Sequence, residues 1–226
     1  MKVIDQALLE KVIIERSHTS HKGDYGRLLL LGGTYPYGGA IIMAALATVK
    51  SGAGLVTVGT DRENIPVLHS HLPEAMAFYL QDQQLLKEQL EKAEVVLLGP
   101  GLGDDAFGED LVKQVFAGLK QNQILIVDGG ALTILARTSL SFPSNQLILT
   151  PHKKEWEKLS GITIEKQKED ATASALTSFP QGIILVEKGP VTRIWQAGQS
   201  DYYQLQVGGP YQATGGMGDT LAGMIA

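Results

Sequence analysis

Residues 27–60 read RLLLLGGTYPYGGAIIMAALATVKSGAGLVTVGT. After Arg27, four leucines run without a polar break and stop at two glycines. Such a run reads as a strand buried on both faces. Residues 38–54 are rich in Ala, Ile and Met and close on glycines, the pattern of a buried helix with a glycine stop. LVTVGT, residues 55–60, is a second strand. Strand, buried helix and strand in succession predict a parallel pair joined by a crossover, the unit of an α/β fold.

The same alternation extends along the chain. AMAFYL (75–80) reads as a strand, QDQQLLKEQLEK (81–92) as an amphipathic helix, and AEVVLLGPGLG (93–103) and QILIVDGGAL (123–132) as strands running into glycine turns. NQLILTPHKKEWEKLSG (145–161) reads as a strand, a Thr-Pro turn and a helix from about Lys153 to Gly161, and a further helix is expected near 164–179. GIILVEKG, TRIWQAG and SDYYQLQV then follow with short connections, predicting an antiparallel or mixed edge near the C-terminus. The expectation is one domain over 1–226: a mostly parallel sheet with helices on both faces and a ligand crevice at the strand C-termini, where the glycine clusters fall.

The bulk properties exclude several classes. Of 226 residues, 44% are hydrophobic, which is ordinary for a globular chain, and the formal charge is −5 with no long basic run. A nucleic-acid backbone therefore finds no electrostatic footprint, and an anionic substrate has to be held by backbone amides or single lysines. Cysteine is absent, which removes disulfides, thiolate metal sites and a cysteine nucleophile. The charged N-terminus does not resemble a signal peptide and the longest apolar run falls short of a membrane span, so a cytoplasmic protein is expected.

The final sixteen residues, YQATGGMGDTLAGMIA (211–226), carry the sharpest chemical signal. The turn formed by Gly215, Gly216, Met217 and Gly218 leads into a helix, and its backbone N–H groups can converge on one anion. An acid immediately after such a hole repels a simple phosphate. Asp219 makes chemical sense there as a base that takes a proton from a hydroxyl while the hole stabilises a transferring phosphoryl group. The alternative is a helix cap on a segment starting at Thr220 and Leu221. Lys188 and Gly189, after the strand GIILV, could meet a nucleotide phosphate, or simply turn the chain. His152 lies at a strand exit on the presumed ligand face; a lone histidine is more often a surface or hydrogen-bonded residue than a catalytic one, and that position narrows the margin. Glu155 is a candidate first-turn acid. GPGLG is no dinucleotide fingerprint, since Asp104 stands where the final glycine belongs, and no Walker-type loop is present. His18, His21, His69 and His71 have no spacing of a metal site.

Taken in order, KGDYGRLLLLGGTYPYGGAIIMAALATVKSGAGLVTVGT, LPEAM, VVLLGPGLG, LILTPHKKE, EKG and ATGGMGDTLAG resemble the ADP- or ATP-dependent NAD(P)H-hydrate dehydratases, a branch of the ribokinase-like superfamily. The resemblance runs from about Lys22 to the last residue. It implies repair of the hydrated S-form of NADH or NADPH: phosphorylation of the ring hydroxyl from ADP or ATP, then loss of phosphate. It assigns Ala40, Gly103, His152 and Asp219 to the hydrate, with Asp219 as catalytic base. It assigns Lys188, Gly189, Pro190, Val191, Thr192 and Gly218 to the nucleotide. Magnesium is implied with the nucleotide, its protein ligands unspecified. A homo-oligomer and a functional pairing with a separate NAD(P)H-hydrate epimerase are also implied. The alternatives are a ribokinase-like small-molecule kinase and a non-catalytic, truncated nucleotide-binding module.

Three departures stand out. Met217 replaces a usual threonine, Gly130 replaces the second acid of an Asp-Ala-Asp-Ala-Leu segment, and Lys153–Lys154 replace Pro-Gly. Members of the family also continue with further helices after GDTLAG, so the expectation is a domain without them.

Overall fold

The computed structural model describes residues 1–13 and 15–226. Among them, ten strands form one sheet: β1 (Lys2–Val3), β2 (Arg27–Leu31), β3 (Leu55–Thr60), β4 (Met76–Tyr79), β5 (Val95–Leu98), β6 (Ile124–Val127), β7 (Gln146–Leu149), β8 (Ile184–Glu187), β9 (Thr192–Gln196) and β10 (Tyr202–Leu205). Their order across the sheet is β1-β10-β9-β8-β7-β6-β5-β2-β3-β4. From β4 to β8 all neighbours are parallel. The expected edge is present and mixed: β9 runs antiparallel to β8 and β10, and β1 adds a parallel strand outside β10.

The all-leucine β2 explains why the sheet is a middle layer. Its side chains alternate between two cores, Leu29 and Leu31 facing one and Leu28 and Leu30 the other. Val96 and Leu98 of β5, and Leu125 and Val127 of β6, join the first core, while Leu97 and Ile126 join the second. Each fully buried residue of this kind contributes roughly 1.5–3 kcal/mol. The first core is closed by α4 (Gln83–Lys92), α5 (Ala106–Gly118), α6 (Gly129–Arg137), α7 (Lys153–Ser160) and α8 (Glu169–Leu176). The second lies beneath α2 (Gly38–Lys50), α3 (Asn64–His71) and α9 (Met217–Ile225). A short α1 (Gln6–Val12) buries none of its residues.

Element detail departs from the sequence expectation in three places. The helix expected near 164–179 is split, a 3-10 turn over Ile164–Lys166 preceding α8, because Lys168 sits in extended backbone between them. Four helices lie outside the reading: α1 near the N-terminus, and α3, α5 and α6, which follow β3, β5 and β6. Finally, α9 begins at Met217 with Gly216 as its N-cap in the left-handed region, φ 86°. Asp219 is therefore the third helical residue rather than the cap, and the capping alternative fails by position.

The sheet order reverses between β2 and β5, since β2, β3 and β4 proceed one way and β5, β6, β7 and β8 the other. At such a switch the loops leave the strand C-termini in opposite directions and open a crevice.

Candidate active site

Loops after β2 and β5 form one wall of the crevice. The Gly103 N–H donates to the Thr34 hydroxyl at 2.7 Å, and that hydroxyl lies 3.3 Å from the Gly101 carbonyl, which accepts from it. A Cβ on Gly101 would run into the Tyr37 carbonyl and come within 2.9 Å of the Ala40 Cβ. Ala40, in the first turn of α2, and Gly103 are thus brought to one place, held by Thr34. Sequence reading did not single out Thr34; its signal was the Gly-Gly-Thr exit of a buried strand.

The second wall comes from β6, β7 and β8. Lys188 continues β8 past its end, bridging in parallel register with His152, and its N–H donates to the Pro151 carbonyl at 3.0 Å. Its ammonium donates to Asp128 Oδ1 at 2.7 Å, and the Thr150 hydroxyl donates to the same oxygen at 2.6 Å. Asp128 is nearly sealed from water, with 3% of its side chain exposed, against 16% for Lys188. Asp128 and Thr150 escaped the sequence reading. Both are strand-end residues in front of turns, and only pairing of β6 with β7 brings them together.

His152 caps α7. Its Nδ1 accepts from the N–H groups of Lys154 and Glu155 at 3.1 and 3.2 Å, while Glu155 Oε2 accepts from the His152 N–H at 2.8 Å. With Nδ1 occupied as an acceptor, the neutral ring carries its proton on Nε2, which lies 3.6 Å from Glu155 Oε1. The Glu155 side chain is folded inward, and burial, the largest influence, raises its pKa above the ordinary carboxylate value. Lys153 and Lys154 are exposed in the first turn of α7, and the departure from Pro-Gly leaves the cap intact.

Asp219 faces the same cluster. Burial raises its pKa, the nearby charge of Asp128 raises it further, and Lys188 opposes both. A Cβ placed on Gly218 would lie 3.2 Å from the Lys188 ammonium, so the glycine turn and the lysine meet. The turn itself is fixed by the left-handed Gly216, packed against Met43 of α2. Met217, the first residue of α9, is 38% exposed. Gly189, Pro190 and Val191 form the exposed β8–β9 loop and Thr192 opens β9. That hairpin is clamped beneath by the Trp195 indole N–H, which donates to Glu187 at 3.1 Å.

Gly130 also has a physical reason. A Cβ there would strike the Leu102 carbonyl, so the acid expected by resemblance has no room in this loop arrangement.

The chain's family follows from comparison. A model of the NAD(P)H-hydrate dehydratases matches residues 28–226. This chain belongs to that family. An ADP-dependent (S)-NAD(P)H-hydrate dehydratase of Streptococcus pneumoniae is 92% identical over 226 residues, covering all of this chain and 78% of the relative. A ribokinase-like superfamily protein of Enterococcus faecalis superposes with a TM-score of 0.94 at 41% identity, over 100% of this chain and 78% of that one. An ADP/ATP-dependent NAD(P)H-hydrate dehydratase of Bacillus subtilis, co-crystallized with ATP and Mg2+, gives a TM-score of 0.86 at 29% identity, over 99% and 79%. The α/β ribokinase-like architecture expected from sequence is the architecture found.

Proposed function

We propose that the protein is an ADP-dependent (S)-NAD(P)H-hydrate dehydratase, with Asp219 as the base. The observation that carries the reading is the 92% identity, over the whole chain, to a relative of that name. The geometry of the crevice supports it. The hydrate would lie against Ala40, Gly103 and His152, its ring hydroxyl towards Asp219. The donor would lie along Lys188, Gly189, Pro190, Val191, Thr192 and Gly218.

Asp219 takes the hydroxyl proton as the oxygen attacks the terminal phosphorus of ADP, and AMP departs. The N–H groups at the start of α9, around Gly215, Gly216, Met217 and Gly218, stabilise charge on the transferring group, with Lys188 beside them. The ring C–O bond then breaks with phosphate as leaving group. The adjacent ring carbon gives up a proton to water and the double bond of the reduced nicotinamide returns. His152 would help to orient the ring amide or its hydroxyl.

Magnesium fits the charge of the site. Among the described residues no group of three or more metal-ligating side chains is gathered, so there is no closed cage. Magnesium usually enters with phosphates and needs one or two carboxylates. Here the Lys188 ammonium pairs with Asp128, and Glu155 and Asp219 lie within electrostatic reach of both, an acid-rich setting that suits a dication. Glu155 would hold the ion, which would supply charge neutralisation on the phosphates.

The test is recovery of reduced-nicotinamide absorbance on mixing hydrate, ADP and magnesium with protein. Asp219→Asn should lower kcat by about 10²–10⁴ while still binding ADP. A stable phosphorylated alcohol in place of recovered absorbance would instead make the protein a kinase, and an inert wild type that binds ADP would make it a binding module.

A further inference from the structure

The dehydration engages only the nicotinamide end of a long dinucleotide, so the rest of that molecule needs a place. Ligands arranged along the C-terminal edge of the sheet are spaced by the strands. From β8, beside the donor segment, to β2 there are four strand intervals, about 19 Å at the usual spacing. Asp219 and the Thr34–Gly103 contact lie along that row. Beyond them, over β2 and β3, a cavity of about 400 Å³ opens, lined by Tyr35, Pro36, Gly38, Asp61, Glu63 and Asn64. Gly38 and Ala40 share the first turn of α2, and Tyr35 follows the Thr34 that holds Gly103, so this cavity adjoins the proposed hydrate site.

Its walls are fixed. The Asn64 side-chain amide donates to the Gly33 carbonyl at 2.6 Å and to the Thr60 hydroxyl at 2.9 Å, tying α3 to the β2 exit. The Tyr35 N–H donates to Asp61 Oδ2 at 2.7 Å, yet the Tyr35 residue is 89% exposed. An aromatic ring on pinned backbone, open to solvent beside a cavity, is a stacking platform of low entropic cost. The lining carries two carboxylates and no cation. The nearest arginine, Arg62, is turned aside, its guanidinium 4.7 Å from the centre of the Tyr79 ring.

We infer that this cavity takes the adenosine half of the hydrated dinucleotide and discriminates against a 2′-phosphate, so that NADH hydrate is preferred to NADPH hydrate. Tyr35 offers its face to the adenine. Asp61 and Glu63 accept hydrogen bonds from ribose hydroxyls and repel an added phosphate dianion. The inference rests on the reaction proposed above. Neither carboxylate is among the charged groups that act on Asp219.

The experiment compares kcat/KM for the two S-hydrates with ADP at low salt, in wild type, Glu63→Lys and Tyr35→Ala. Wild type should favour NADH hydrate by about tenfold, the size expected for one or two partly screened like charges. Glu63→Lys should shift that ratio at least fivefold towards NADPH hydrate, chiefly through KM, and added salt should shrink the shift. Tyr35→Ala should raise KM for both hydrates and leave their ratio in place. Equal efficiency on both hydrates, unmoved by Glu63→Lys, overturns the inference alone. A folded wild type that turns over neither hydrate overturns the proposed reaction, and the inference with it.

Discussion

Asp219 shows how one carboxylate becomes a usable base. Burial raises its pKa, Asp128 adds to the rise, and Lys188 opposes it, so the acid side of the activity profile should lie above the ordinary aspartate range. The base works only when ionised, and anything that favours ionisation moves that limb to lower pH. Asp128→Asn removes a raising charge and leaves the Lys188 ammonium uncompensated. Its kcat/KM profile should therefore show the acid midpoint displaced downward, together with about a tenfold or greater loss at neutral pH from a loosened Lys188. An unmoved or raised midpoint would show that Asp128 does not act on Asp219. At the residue scale the sequence drew attention to Asp219, Lys188 and His152, because each adjoins a glycine or proline turn. It was silent on Asp128 and Thr150, whose shared oxygen contact spans 22 residues and exists only once β6 and β7 are paired.

Among the elements, α9 has the heaviest duty, since its first turn carries both the anion hole and the base. Its position is set by α2. A Cβ on Gly223 would collide with the Ala44 carbonyl, and the Thr48 hydroxyl donates to the Gly223 carbonyl at 2.9 Å. Backbone-to-backbone approach of this kind tolerates no side chain. Gly223→Ala should therefore push α9 outward, costing about 1–3 kcal/mol by denaturant titration and lowering kcat more than it weakens ADP binding. Unchanged stability would mean that the helix can slide without penalty. From sequence, the glycine turn and the presence of a helix after it were legible. That the helix begins at Met217 was not, because Gly216 in the left-handed region, wedged by Met43, decides the first residue.

For the whole molecule, the crevice couples ligand to fold. Lys188 lies just past β8, Asp219 on α9 and Glu155 on α7, so a bound nucleotide would tie three distant parts of the chain. Ligand that binds only the folded state at about 100 times its Kd adds about 2.7 kcal/mol. ADP with magnesium should accordingly raise Tm, and Lys188→Ala should remove most of that rise. A shift of equal size in the variant would place the nucleotide elsewhere.

The sequence by itself determined the layers and the chemistry at its strand exits. Apolar runs such as LLLL can only be buried on both faces, and glycine turns before a helix can only present amides. Tertiary structure alone decided which exits meet. The strand order reverses between β2 and β5, an outcome of long-range pairing that no local pattern encodes. That reversal opens the crevice, brings Thr34 to Gly103, and leaves Tyr35 and Glu63 beside a cavity. The physical reason is range: burial and turn propensity act within a few residues, whereas a site is made by contacts among residues far apart in the chain.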